Sequence, residues 1–190
     1  MSIIIRPYES KDFDDVRLIC VATSSFRVRN ESKRLYLLKM YCDYYIECEP
    51  ENCFVAVDVD EEGKEKVVGY TLCAIDCESY AKRFLEKYLP KIKSYSKLNA
   101  HFAKSEVMLY GRFASFFPAH MHIDILPGYQ KQGIGRMLVD ALKNHLSERN
   151  VKGVMLIAGK KNENAKAFYR KNGFSLLENL GGNSIFGFDF

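Results

Sequence analysis

Between an apolar run that ends at Leu126 and an amphipathic stretch that starts near Gly133 lies Gln130-Lys131-Gln132-Gly133-Ile134-Gly135, followed by Arg136. A turn of small residues at a helix start leaves several N–H groups without intrahelical partners, and the helix dipole adds positive charge where they point. Such a place takes an anion. Glycine at 133 and 135 lets the main chain approach a phosphate where a Cβ would intrude, and Lys131 and Arg136 can reach its outer oxygens. Spacing excludes two common phosphate loops. A Walker-type loop has Lys and Ser/Thr directly after its last glycine, whereas Gly133 is followed by Ile134 and Gly135. A dinucleotide fingerprint needs another Gly or Ala three residues after the second glycine, where this chain has Leu138.

His120, His122 and Asp124 alternate just upstream, so on a strand they share one face while Met121, Ile123 and Ile125 share the other. The polar face is expected to line a cleft. An H-x-H-x-D pattern also suggests metal ligation, but on a regular strand its ends lie about 13 Å apart. Ligands must converge within roughly 2.1 Å of one ion, so no metal is expected here.

Gln130, Gly133 and Gly135 resemble the Q/R-x-x-G-x-G/A signature of the GNAT acetyltransferase superfamily. Downstream, the run 162–174 (NENAKAFYRKNGF) is similar to that family's N-x-x-A-x-x-F-Y-x-K-x-G-F segment. Alone, this second segment reads as a capped amphipathic helix with a core tyrosine; in order after the first motif, it supports the resemblance. Residues 117–127 (FPAHMHIDILP) are similar to the acetyltransferase-like domain of O-linked N-acetylglucosaminidases and its free-standing bacterial relatives.

The resemblance implies a GNAT acyl-CoA N-acyltransferase fold of the α/β (α+β) class, a mixed sheet of about seven strands with helices on both faces and a helical insertion before the fourth strand. It implies an N-acetyltransferase moving the acetyl group of acetyl-CoA to a primary amine of a small molecule or peptide. The alternative is a non-catalytic CoA-binding or interaction module with the same fold. Coenzyme-binding positions carried over are Ile125, Leu126, Gln130, Lys131, Gln132, Gly133, Ile134, Gly135, Arg136, Asn162, Phe168 and Tyr169.

The implied reaction needs a deprotonated amine, a donor for the oxyanion and an acid for the departing sulfur. By resemblance, the backbone near Ile125 pairs with the pantetheine arm and Tyr169 protonates the thiolate; a phenol titrating near pH 10 keeps its proton at neutral pH. Asp124, nearest the loop, is the first candidate for accepting the amine proton and His122 the second. Orientation of the substrate is the plainer role for Asp124.

Several elements must hold these groups. Ile3 to Arg6 reads as a strand closed by Pro7, and Ser10 is expected to cap a helix striped by Phe13, Val16, Ile19 and Cys20. Leu35, Leu38, Tyr41, Cys42 and Tyr45 mark a second helix running to about Cys48. Segments 53–59 and 66–74 flank Gly63 as a hairpin. Residues 79–107 look helical with a break at Pro90, an insertion expected to cover part of the acceptor site. Strand 119–126 delivers the loop, and strands 154–158, 174–178 and 184–190 complete the sheet.

With 190 residues, 47% hydrophobic and 27% charged, one domain over 1–190 is expected. Without a leader-like start or a membrane-length apolar run, a cytoplasmic protein with no membrane partner is expected. Six cysteines in the first half, none in C-x-x-C spacing, read as reduced buried thiols. Eight bases against two acids over 81–112 read as a solvated helical face, making nucleic acid an unlikely partner. Asp43, Glu47 and Glu49 at a helix end suggest a cationic amine acceptor, and the sugar-related relatives suggest an amino sugar. The fold allows a homodimer, but no residue marks one.

Overall fold

The computed structural model describes residues 2–24, 28 and 30–190. Its seven-stranded sheet runs β1-β2-β3-β4-β5-β7-β6. The strands are β1 (Ser2–Pro7), β2 (Phe54–Val59), β3 (Glu65–Ala74), β4 (Ala119–Ile125), β5 (Gly153–Gly159), β6 (Ser175–Leu180) and β7 (Asn183–Asp189). Neighbours are antiparallel except β4 and β5, which are parallel. The expected GNAT-type architecture is thus present.

Helix α1 (Phe13–Thr23) follows a 3-10 turn, Ser10–Asp12. Ser10 is not the expected cap: Glu9 and Asp12 form a capping box around the turn, and Asp12 Oδ2 accepts the Glu9 amide at 2.9 Å and the Arg6 guanidinium at 2.7 Å. A carboxylate that also finds an arginine outcompetes a serine hydroxyl. Helix α2 (Glu31–Leu38) passes through a π-helical turn, Lys39–Asp43, into α3 (Tyr44–Cys48). That turn breaks the regular 3.6 spacing where Tyr41 and Tyr45 project toward β4, and such bulges cluster at functional sites.

The insertion is three helices, α4 (Cys77–Lys87), α5 (Leu89–Tyr95) and α6 (Lys97–Gly111). Its breaks fall at Tyr88 and Ser96 rather than at Pro90, which sits in the first turn of α5 where its missing N–H costs nothing. Ser96 restarts the chain by accepting the Asn99 amide at 3.2 Å.

Two apolar layers flank the sheet. On one side Val16, Leu38, Tyr45, Phe84, Ile92 and Val107 bring α1 to α6 against it. On the other, Leu138, Leu142 and Leu146 of α7 (Ile134–Glu148) are buried at 0–1% exposure, the i, i+4, i+8 stripe of a helix that covers the sheet. Helix α8 (Glu163–Lys171) packs nearby through Phe168 and Tyr169.

Candidate functional site

A groove of about 830 Å³ runs from the end of β4 across the loop 127–133 and the start of α7 to α8. Its floor is a backbone nest. Lys131 has φ 63° and Gly133 φ 85°, left-handed conformations that turn successive N–H groups toward one side. Among the described residues the amides of 131–136 have no acceptor; the first bonded amides beside them are Gln130 to Pro127 at 3.4 Å and Met137 to Gly133 at 3.1 Å. Gln130, Lys131, Gly133, Gly135 and Arg136 line the groove together with Asn162, Phe168 and Tyr169.

The structure gives five of these expected coenzyme positions particular local roles. A Cβ at Gly133 would meet nothing, so glycine there serves the left-handed turn; a Cβ at Gly135 would come within 2.9 Å of the Phe168 ring. Gly135 is therefore set by the packing of α8 rather than by phosphate approach. Leu126 gives its amide to the Val68 carbonyl at 2.9 Å and packs into the core, so it has no N–H for a ligand. Ile134 is 1% exposed under the loop and offers only its amide, while the Gln132 side chain folds back onto the Gly128 carbonyl at 3.0 Å.

Strands β4 and β5 pair only at Ala119 with Val154 and His120 with Met155. Beyond His120 they diverge, and β4 stays paired with β3 alone as far as Ile125. One edge of 121–125 is thus free of strand partners. The Gln130 side chain reaches that edge, donating to the Ile125 carbonyl at 2.9 Å. Asn162 accepts the Ala165 amide at 3.1 Å, so its Oδ1 caps α8 while the residue borders the groove.

Asp124 lines the same groove, and its Oδ2 accepts the Tyr70 hydroxyl at 2.7 Å. Burial pushes its carboxyl up to about 6, with the Tyr70 bond pulling the other way. Tyr169 packs its ring on Phe168, Phe174 and Phe186. Burial first, and the Asp124 charge second, hold its phenol above the usual range, so it keeps its proton at neutral pH.

The expectation that His120 faces a cleft is overturned. It is fully buried, stacked on Tyr110 with centroids 4.0 Å apart and edge-on to Tyr80. Tyr45 bridges it to His122, its hydroxyl 2.9 Å from each Nε2. Burial lowers both imidazoles, His122 to about 4, so both are neutral at pH 7. Two tautomer assignments satisfy the chain. Burial pushes the Cys77 thiol up to about 12, and it lies 3.5 Å from His120 Nδ1 against 3.9 Å from the Phe117 carbonyl. Either the thiol donates to Nδ1, His120 Nε2–H to the Tyr45 oxygen and Tyr45 to His122 Nε2, or the thiol donates to the Phe117 carbonyl and each of these bonds reverses. In both, Tyr45 engages His122 Nε2.

A second cavity of about 960 Å³ lies between α2, α6 and the turn joining β6 to β7. Tyr41 links it to β4, with its ring 5.3 Å from that of His122 and its hydroxyl donating to Glu106 Oε2 at 2.9 Å. Burial raises the Glu106 carboxyl to about 7. Sequence reasoning counted Glu106 only as one of two acids in a basic stretch. It chose Asp43, Glu47 and Glu49 instead, and the structure uses these internally. Asp43 pairs with Lys39 at 2.6 Å and Arg17 at 3.0 Å; Glu47 accepts from Tyr88 at 2.7 Å; Glu49 accepts from Tyr44 at 2.9 Å and from the Ile75 amide at 3.0 Å.

Among the described residues no group of three or more His, Cys, Asp and Glu side chains is placed to hold a metal ion, and no helix is long and apolar enough to cross a membrane. The described cysteines are free thiols.

The model of the acetyltransferase (GNAT) family matches residues 18–174. The chain belongs to that family. Among solved structures, this GNAT chain is similar to SsHAT at 29% identity, covering 100% of this chain and 98% of that one with a TM-score of 0.86. It shares its fold with a polyamine N-acetyltransferase of Drosophila melanogaster that forms N-acetylagmatine, at 12% identity over 100% of both chains and a TM-score of 0.65. The PaiA N-acetyltransferase of Thermoplasma acidophilum, solved with coenzyme A, also shares the fold, at 13% identity over 100% of both chains and a TM-score of 0.61.

Proposed function

We propose that this chain is an acetyl-CoA-dependent N-acetyltransferase acting on a primary amine. The observation that carries the reading is the unpaired run of amides over 131–136, a cradle for a diphosphate flanked by Lys131 and Arg136. The residues present fit the coenzyme. Gln130, Gly133, Gly135 and Asn162 border the phosphate end, and the unpaired edge of β4 near Ile125 matches an extended pantetheine arm that needs amide partners.

Acetyl-CoA supplies the thioester that the amine attacks, and the products are an amide and a free thiol. Asp124 takes the proton the nitrogen loses, directly or through water. His122 is ill-suited to that role because burial lowers its imidazole to about 4 and Tyr45 engages its Nε2. Tyr169 holds the proton that the departing sulfur needs. Coenzyme-bearing neighbours of the same fold support the reading. The wording of 117–127 supports kinship with the acetyltransferase-like domain of O-linked N-acetylglucosaminidases.

Thermal-shift titration with acetyl-CoA and CoA, together with thiol release over an amine panel, tests it. Stabilisation by both coenzyme forms with amine-dependent thiol release is expected. No shift at millimolar acetyl-CoA would end the proposal. A shift with no thiol release from any amine would favour a coenzyme-binding module without turnover.

A further inference from the structure

Building on the acetyl-transfer reading, we propose that the second cavity is the acceptor pocket and that it selects amines whose far end carries one further positive charge, anchored by the Glu106 carboxylate under Tyr36 and Tyr41. Glu106 is the sole acid among the residues lining this cavity, whose walls are otherwise mostly apolar, with Leu37, Phe102 and Met108 among them. A carboxylate there has a strong need for a cation, because one hydroxyl from Tyr41 does not replace its water. Aromatic faces beside it add to the attraction for an ammonium or guanidinium.

The reacting amine belongs near Asp124, on the groove that holds the coenzyme, and so it is not the group that Glu106 binds. Tyr41 spans the interval, ring against His122 and hydroxyl on Glu106. An acceptor laid along Tyr41 places one end at β4 and the other at α6, with a methylene chain against the apolar walls between them. The pocket also limits the charge. Arg112 is compensated by Glu178 at 3.1 Å, but Lys33 on the rim has no acid partner among the described residues and repels a third cation.

Calorimetry on the coenzyme-free protein with cadaverine, 5-amino-1-pentanol and spermidine tests the pocket apart from turnover. Cadaverine is expected to bind at least tenfold more tightly than the amino alcohol, and E106Q to erase that difference. Lys33 is exposed, so K33E leaves the fold intact and is expected to tighten spermidine severalfold. The proposal is overturned if the amino alcohol equals cadaverine, if E106Q keeps the preference, if K33E leaves spermidine unchanged, or if no amine binds. Preference without thiol release would sink acetyl transfer and keep the pocket. Equal thiol release from cadaverine and the amino alcohol would do the reverse.

Discussion

Tyr70 and Asp124 face each other across β3 and β4 as paired residues, and the phenol donates to the carboxylate at 2.7 Å. The bond favours the ionised form of a group that burial pushes up to about 6. Tyr70→Phe removes the donor while keeping the ring, so the acid limb of the kcat/KM profile should move to higher pH by about half to one unit. Activity should rise with pH through about 6 in the wild type, since the base works ionised. A limb unmoved in the variant, or absent from the wild type, would show that Asp124 is not the base.

Tyr169→Phe should lower kcat by about 100-fold. The coenzyme KM should change little, because the ring keeps its contacts with Phe168, Phe174 and Phe186. Steady-state kinetics with the best amine decides; a large rise in KM with kcat intact would make Tyr169 a packing residue.

The two glycines of the loop should fail for different reasons. Gly133→Ala meets open space but forces a left-handed residue, a cost of about 1–2 kcal/mol. Gly135→Val drives a methyl into Phe168 and should shift α8 along with the groove wall. Both should weaken CoA by calorimetry, and only the second should disturb the near-ultraviolet signal of the aromatic cluster on α8.

Glu106 holds its proton to about 7 in the folded state, above the usual carboxylate range. Over that interval the unfolded chain has lost the proton and the folded chain has kept it, so stability falls as pH rises from the unfolded value toward 7. E106Q should lose this part of the pH dependence, leaving that of the other shifted groups such as Asp124, and by pH 8 be more stable than the wild type by about 3 kcal/mol. Denaturant melts across pH 4–8 would show this, and parallel curves would rule it out.

Tyr45→Phe leaves the Nε2 atoms of His120 and His122 without their shared partner inside the protein. A loss of about 1–3 kcal/mol of stability is expected, with the imidazole proton signals of both residues altered in NMR spectra.

Local features were legible from sequence. The turn after β4 with its left-handed Gly133, and the helix cap at Asn162, depend on residues within a few positions of each other. Features made by distant partners were not. Glu106 meets Tyr41 across 65 positions, Tyr45 meets His120 across 75, and no residue type at either end signals the other. The π-helical turn at Lys39–Asp43 has no Pro or Gly to announce it, yet it sets where both tyrosines point. Acids at a helix end looked available for a ligand because the sequence hides that Lys39 and Arg17 already neutralise Asp43.

Because β4 and β5 part after two residue pairs, the sheet is left unzipped through its middle. A visiting amide chain can act there as a temporary eighth strand, docking one half of the molecule to the other. Recognition of the visitor and completion of the protein's own architecture are then one event.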